Sequence, residues 1–361
     1  MRVAFVHDWL VTFRGGEKVL EALLNLYPDA PIYTMYYDRS KMPDSINSRK
    51  VYTSPILNKF KKLRKLCLPF FPRAIEAFDL SEYDLVISTS SCVAKGVITN
   101  KNAKHICYLH SPMRYIWDQQ EEYLKGVAHI PFAEWAIKKL TPSLRKWDIA
   151  SAQRVNRFIC NSSFVAKRAL DFYGLDSTVI HPPIDTKRFN PPTSKSGGYL
   201  LCAGALVSYK RFDLAIQACE ALNKKLIIAG SGPMESQLRA IAGDITQFII
   251  YPDNETFDKL LAHADGLLFP GVEDFGMIAI ESMASGTPVI AYRKGGATDF
   301  IEEGKTGQFF DDSTSESLIK CLEQFDPSKF DAAQLHKYAE EYCEEAFLQK
   351  IRYEISDVLN R

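Results

Sequence analysis

Glu273 and Glu281 lie in the stretch Leu267 to Gly296, LLFPGVEDFGMIAIESMASGTPVIAYRKGG. A carboxylate accepts two hydrogen bonds at once, so it suits a vicinal diol such as the 2′,3′-hydroxyls of a ribose. Glu281 follows the loop by about one helical turn, at about 1.5 Å per residue, a spacing that gives each carboxylate its own part of a ligand. The N–H groups of Phe275, Gly276, Met277 and Ile278 open the helix, where they are free to donate to an anion or to hydroxyl oxygens. A plainer reading stands beside this one: a Glu near a helix start complements the macrodipole, and Glu is common on solvated faces. Ile280 and Met283 flank Glu281 on a helix that reads as buried, however, and a carboxylate there needs a partner.

These groups must be held by the elements of an α/β sheet. LLF suits a buried strand, PGVEDFG a loop rich in turn formers, and MIAIESMAS a helix with Gly286 in the C-cap region. Pro288 stops the helix, and PVIAY is a second buried strand. Strand, loop, helix and strand make one unit of a parallel sheet, whose ligands bind beyond the carboxyl ends of the strands.

The same logic finds further candidates. The strand Tyr199–Ala203 ends in Gly204, and Lys210 and Arg211 then precede a helix, Phe212–Leu222. The macrodipole disfavours two cations at a helix start, so an anion such as a nucleotide diphosphate is expected there, the alternative being two solvated side chains. Gly230, in Gly230-Ser231-Gly232-Pro233, brings backbone close to a ligand or to the next helix. His110 follows the strand His105–Leu109, next to a loop broken by Pro112. Near the start of the chain, the strand Val3–Val6 leads through His7-Asp8-Trp9 to Gly15-Gly16 and a helix, Glu17–Leu26. That is an anion or sugar site, or a simple tight turn. There is no G-x-x-x-x-G-K-[ST] and no G-x-G-x-x-G. D-x-D is also absent, so a metal-held diphosphate is not indicated.

The 361 residues suggest two domains. With 46% hydrophobic and 24% charged residues, the composition is that of a soluble globular protein. No apolar run reaches the roughly 20 residues of a membrane helix. The first residues enter a strand directly, so no secretory leader is expected. The eight cysteines are scattered without C-x-x-C and read as reduced core residues of a cytosolic protein. Residues 1–190 hold 28 Lys+Arg against 18 Asp+Glu, and residues 191–361 hold 16 against 26. Two bodies with different partners fit that asymmetry, the basic one favouring an anionic partner. Lys59, Lys61, Lys62, Arg64 and Lys65 alternate with Phe60 and Leu63 in NKFKKLRKLCLPFFPR. This segment suits either an anionic membrane surface or a solvated helix with one face in the core. Nucleic acid is not expected, because no recognition motif accompanies the modest basic balance.

The pattern E-D-F-G-M-I-A-I-E, with FPGVEDFG, ESMASGTPVIA and GGATDFIEEGKTG around it, resembles retaining glycosyltransferases of family 4, also called group 1. The resemblance implies a GT-B fold, two Rossmann-like doubly wound domains facing a cleft: 1–189 on the acceptor side, a linker at 190–198, a nucleotide-sugar domain at 199–343, and a helix at 344–361 returning to the first domain. It also implies that Lys210 binds the donor diphosphate, Glu281 the ribose, and Glu273 with the Phe275–Met277 amides the donor sugar. His110 would contact that sugar from across the cleft, the Gly15-Gly16 loop would face it, and Arg114 and Tyr115 would touch the acceptor. One position departs from the family. Many members carry Arg immediately after the strand-end glycine, and this chain has Ala205. Either Arg211 substitutes, or the donor is held weakly or not turned over. HDWL…RGGEKVLEAL, HSPMRYIWD and VSYKRFDLAIQA look most like bacterial mannosyltransferases of surface polysaccharide assembly. GDP-mannose is then the expected donor, with no cofactor and no metal. The acceptor would be a saccharide or a polyprenyl-linked one at the cytosolic membrane face. A non-catalytic sugar-nucleotide-binding subunit and a sugar-nucleotide epimerase or phosphorylase of the same fold are the alternatives.

Overall fold

The computed structural model describes residues 1–118, 120, 124, 133–192 and 197–361, without the side chains of residues 61–66, 133 and 136. It divides into two compact units, Met1–His181 with Phe347–Arg361, and Pro182–Ala346. The division falls before the expected linker: Ile184 and Phe189 already lie in the core of the second unit.

In the first unit the strands are β1 (Val3–His7), β2 (Ile32–Thr34), β3 (Val51–Thr53), β4 (Leu85–Ser90), β5 (Lys104–Leu109), β6 (Arg157–Cys160) and β7 (Thr178–Val179). They form a parallel sheet in the order β3-β2-β1-β4-β5-β6-β7. Central β1, β4 and β5 are almost wholly buried, which fits their non-alternating sequences; Ser88, Thr89 and Ser90 of β4 and His105 of β5 are buried polar residues. Phe347, Leu348, Ile351, Ile355 and Val358 of the carboxy-terminal helix Glu344–Asn360 join the core around Val3 and Phe5. Arg157 at the start of β6 pairs with Glu354 and Asp357 of that helix.

The second unit holds β8 (Leu200–Ala203), β9 (Leu226–Ala229), β10 (Thr246–Ile249), β11 (Gly266–Phe269), β12 (Val289–Tyr292) and β13 (Gly307–Phe310). Its sheet is parallel in the order β10-β9-β8-β11-β12-β13. In both sheets the order reverses beside the first strand of the unit, the point where doubly wound sheets open a crevice for ligands.

Local propensity is overridden in places. The residues of Ile249-Ile250-Tyr251 favour a strand, yet β10 ends at Ile249, and Tyr251 is exposed with a left-handed backbone at φ 53°. After β12 the chain forms a 3-10 turn, Gly295–Asp299. The basic segment is a 3-10 run, Leu57–Phe70, with Leu57 and Leu68 buried and Phe60 and Phe70 exposed. The side chains of Lys61, Lys62, Arg64 and Lys65 lie outside the described residues. All eight cysteines are free thiols, six of them buried. Among the described residues no helix is long and apolar enough to cross a membrane, and no group of His, Cys, Asp or Glu is placed to hold a metal ion.

Candidate active site

β8 and β11 lie side by side, and the loops beyond their carboxyl ends bring Lys210 and Glu273 together as an ion pair. Only 10% of the Lys210 side chain and 18% of the Glu273 side chain is exposed. Burial alone would lower the Lys210 pKa, but the charges of Glu273 and Tyr209 outweigh it and the pKa is raised. The ammonium is therefore a fixed positive charge.

Glycines make this approach possible. Gly204 has φ +123°, and a Cβ there would lie 3.2 Å from Lys210 Nζ. A Cβ on Gly271 would lie 2.6 Å from Lys210 Cα, so the 270–276 loop could not close on Lys210 with any larger residue. Gly295 and Gly296 brace the loop from behind: the Gly296 amide donates to the Glu273 carbonyl at 2.9 Å, and a Cβ on Gly295 would meet the same oxygen at 2.6 Å. Gly230 serves packing, since a Cβ there would strike the Gly204 carbonyl at 1.8 Å.

Beyond Glu273 the chain enters the helix Met277–Ala284. Phe275 is buried, its ring 5.3 Å from that of Phe300, so only its backbone is offered to a ligand. Gly276 is left-handed, φ +102°, and supplies no side-chain cap to the Met277 and Ile278 amides. Glu281 is half-buried between fully buried Ile280 and Met283. A cation bears on it that the sequence reading missed. Arg188 donates two hydrogen bonds to Asp258, at 2.9 and 2.7 Å, and its raised pKa comes first from Asp258 and further from Glu281. Arg211 has a left-handed backbone, φ 51°, and its guanidinium is already engaged: it donates to both Asp213 oxygens and to Ser313 Oγ at 3.0 Å. Asp213 in the first turn thus answers the oddity of a cation at that helix start.

The first unit has its own cluster. The helix Gly15–Leu24 starts at Arg14, whose amide donates to Glu17 Oε2 at 2.9 Å. A Cβ on Gly16 would lie 3.6 Å from His110 Nε2, so the glycine loop and His110 do meet. That nitrogen is buried and has no hydrogen-bond partner among the described residues. Burial, then the charges of His7 and Arg114, push the His110 pKa down to about 3, which keeps the ring neutral. His7 Nδ1 lies 2.6 Å from Thr89 Oγ1, and its Nε2 lies 3.7 Å from Glu17 Oε1. Burial opposes the Glu17 carboxylate, but His7 and the local amides outweigh it and lower its pKa. Asp8 is buried and accepts from the amides of Ser91, Cys92, Val93 and Ala94 at 2.6 to 2.9 Å, which pins the turn after β4 to the end of β1. After His110, Arg114 Nε donates to Ser111 Oγ at 3.1 Å, while Tyr115 packs against the apolar core. Glu17 was recognisable from its place three residues after the helix N-cap; the Asp8 cradle had no local signal.

The fold and these strand-end groups can be set against known proteins. A family model described as "Glycosyltransferase Family 4" matches residues 15–188, and one described as "Glycosyl transferases group 1" matches residues 183–342. The chain belongs to the family 4, group 1 glycosyltransferases. It is 27% identical over 226 residues to the GDP-mannose-dependent alpha-(1-6)-phosphatidylinositol monomannoside mannosyltransferase of Mycolicibacterium smegmatis, covering 55% of this chain and 57% of that one. It is 33% identical over 178 residues to the corresponding dimannoside mannosyltransferase of Mycobacterium tuberculosis, covering 43% and 46%. The matches thus span about half the length of these relatives. Among solved structures, sucrose-phosphate synthase of Thermosynechococcus elongatus superposes with a TM-score of 0.73 at 16% identity over 100% of both chains. Anabaena HepE in complex with UDP gives 0.71 at 16% identity, covering 99% of this chain and 100% of that one. The fold is GT-B, with two Rossmann-like units.

Proposed function

We propose that the protein is a retaining hexosyltransferase that moves a sugar from a nucleotide diphosphate donor to an acceptor hydroxyl. The observation that carries this is the meeting of Lys210 and Glu273 at the β8 and β11 ends. The second unit takes the donor. Lys210 faces the diphosphate, Glu273 and the amides before Met277 face the sugar hydroxyls, and Glu281 faces the ribose. The bond from the anomeric carbon to the diphosphate breaks, and a bond to the acceptor oxygen forms on the same face. The acceptor proton passes to the leaving phosphate oxygen. Lys210 and the helix N-termini stabilise the charge that develops on that phosphate, so no metal ion is required. In the first unit, the neutral His110 beside the Gly15-Gly16 loop is a hydrogen-bonding group for a bound sugar.

Mannose from GDP-mannose is the donor we favour, because the curated relatives are named as GDP-mannose-dependent. Their names also favour a lipid-linked acceptor, with Arg114 reaching it. Such an acceptor suits a cytoplasmic protein held at the inner membrane face by the basic segment from Lys59, in a pathway of surface polysaccharide synthesis.

A panel of GDP-, UDP-, dTDP- and ADP-sugars tests this by thermal shift, on wild type and on Lys210→Ala. A ligand that binds the folded state alone raises Tm by mass action. We expect GDP-mannose to raise Tm without added metal and Lys210→Ala to lose the rise. A shift with another base alone overturns the donor assignment. No shift with any sugar nucleotide, with or without a divalent metal, overturns the transferase reading.

A further inference from the structure

Lys210 and Glu273 are each needed by a different part of the donor, yet they are bound to each other. Ala205 carries no charge, and Arg211 is held by Asp213 and Ser313. A diphosphate arriving over Gly204 therefore finds an ammonium whose charge Glu273 already offsets. It must take Lys210 over, and Glu273 is then left as a poorly solvated carboxylate, which is costly unless new donors reach it. Hydroxyls of an attached sugar are such donors. A bare nucleoside diphosphate, the product of the reaction, carries no such sugar, and its ribose hydroxyls are those assigned to Glu281.

From this geometry we infer that Glu273 is a selectivity residue: by reclaiming Lys210 when no sugar is present, it favours the intact donor over the nucleoside diphosphate product and so promotes product release. This rests on the donor-site reading above. The ion pair is an internal counter-ion that exchanges partners. With donor bound, Lys210 goes to phosphate and Glu273 to sugar. With product alone, phosphate and Glu273 compete for one ammonium.

The sign of one substitution tests the inference. If Glu273 only positioned Lys210, removing its charge would weaken every phosphate ligand. If the two exchange, Glu273→Gln should tighten nucleoside diphosphate while weakening the nucleotide sugar. Titration calorimetry of GDP, UDP, GDP-mannose and UDP-glucose would be run on the full chain as wild type, Glu273→Gln, Glu273→Asp and Lys210→Ala. We expect the nucleoside diphosphate Kd to fall roughly tenfold in Glu273→Gln, the scale of one charge interaction at a partly buried site. The preference for the attached sugar should fall in the same variant. Glu273→Asp, which keeps the charge but shortens its reach, should lie between the two, and it keeps the test open if the amide variant does not fold. Lys210→Ala should lose the diphosphate in every form. Nucleoside diphosphate that binds Glu273→Gln no more tightly than wild type overturns the exchange and leaves the donor site standing. A folded wild type that binds none of the four ligands overturns the donor site, and the exchange with it.

Discussion

Gly230 rests on the carbonyl of Gly204: a Cβ at residue 230 would lie 1.8 Å from that oxygen, and its φ of +145° is strained for any side chain. The contact fixes the β8 end on which the Lys210 ammonium sits. Gly230→Ala should therefore cost about 2–4 kcal/mol, because backbone must move, and should weaken nucleotide binding with it. Gly174 has φ +65° with open space around it, so Gly174→Ala should cost only about 1–2 kcal/mol and leave binding unchanged. Urea unfolding and nucleotide titration of both variants check the contrast.

His105 and His110 give stability a pH dependence. Burial pushes both pKa values down to about 3, His105 next to Ser88 and His110 next to the glycine loop. The folded state keeps both neutral, whereas the unfolded chain protonates them below about 6.5. Their contribution is thus fully present above about pH 6.5 and declines as pH falls toward 3, by about 1.4 kcal/mol per pH unit for each ring. Denaturant unfolding should show the slope between pH 7 and 5, and His105→Gln should reduce it. Activity over the same range should show no step from His110, because the folded ring does not titrate there.

What was legible in the sequence follows from how local each signal was. The buried strands β5, β8 and β11 announce themselves as apolar runs followed by His110, Gly204 and Pro270, and β12 as one that follows Pro288. β2 and β3 are three residues each, with too little pattern to distinguish them from loops. Ile249-Ile250-Tyr251 looked like a strand because its residues favour one, but the exposed left-handed Tyr251 shows the turn prevailing over propensity. Most candidate site residues were identifiable one at a time, from charge at strand ends and helix starts, Arg188 and Asp8 excepted. Their pairings were not. Lys210 and Glu273 are 63 positions apart and Arg188 and Asp258 are 70 apart, so only the topology brings them together. The two cations at 210 and 211 looked alike in sequence, yet Asp213 engages one and Glu273 the other.

Glu281 should impose a preference for ribose. Its half-buried carboxylate is expected to accept from the 2′- and 3′-hydroxyls, while Arg188 and Asp258 hold the surrounding charge. Wild type should bind a nucleoside diphosphate more tightly than its 2′-deoxy analogue, by about tenfold, the worth of one hydrogen bond to a charged group. Glu281→Ala should erase that difference and bind both weakly. Equal affinities of wild type for the two ligands would remove Glu281 from the ribose site.

Lys95 and Asp148 make a buried ion pair in the first unit that orders the segment after His110. Both side chains are almost wholly excluded from solvent. Asp148 also accepts from Trp117 Nε1 at 2.8 Å and Tyr173 OH at 2.9 Å, and Trp117 stacks on Phe172 with ring centroids 4.6 Å apart. Replacing one partner strands the other charge in the core, so Asp148→Ala should cost about 3–5 kcal/mol. Lys95→Met with Asp148→Leu removes both charges and should recover much of that loss, since burying the pair is itself expensive. The double variant still loses the acceptor for Trp117 and Tyr173. It should therefore regain stability to denaturant without regaining the near-ultraviolet circular dichroism of an ordered Trp117. Recovery of both would mean that packing against Phe172 alone orders the loop, and recovery of neither would mean that the ion pair is itself stabilising.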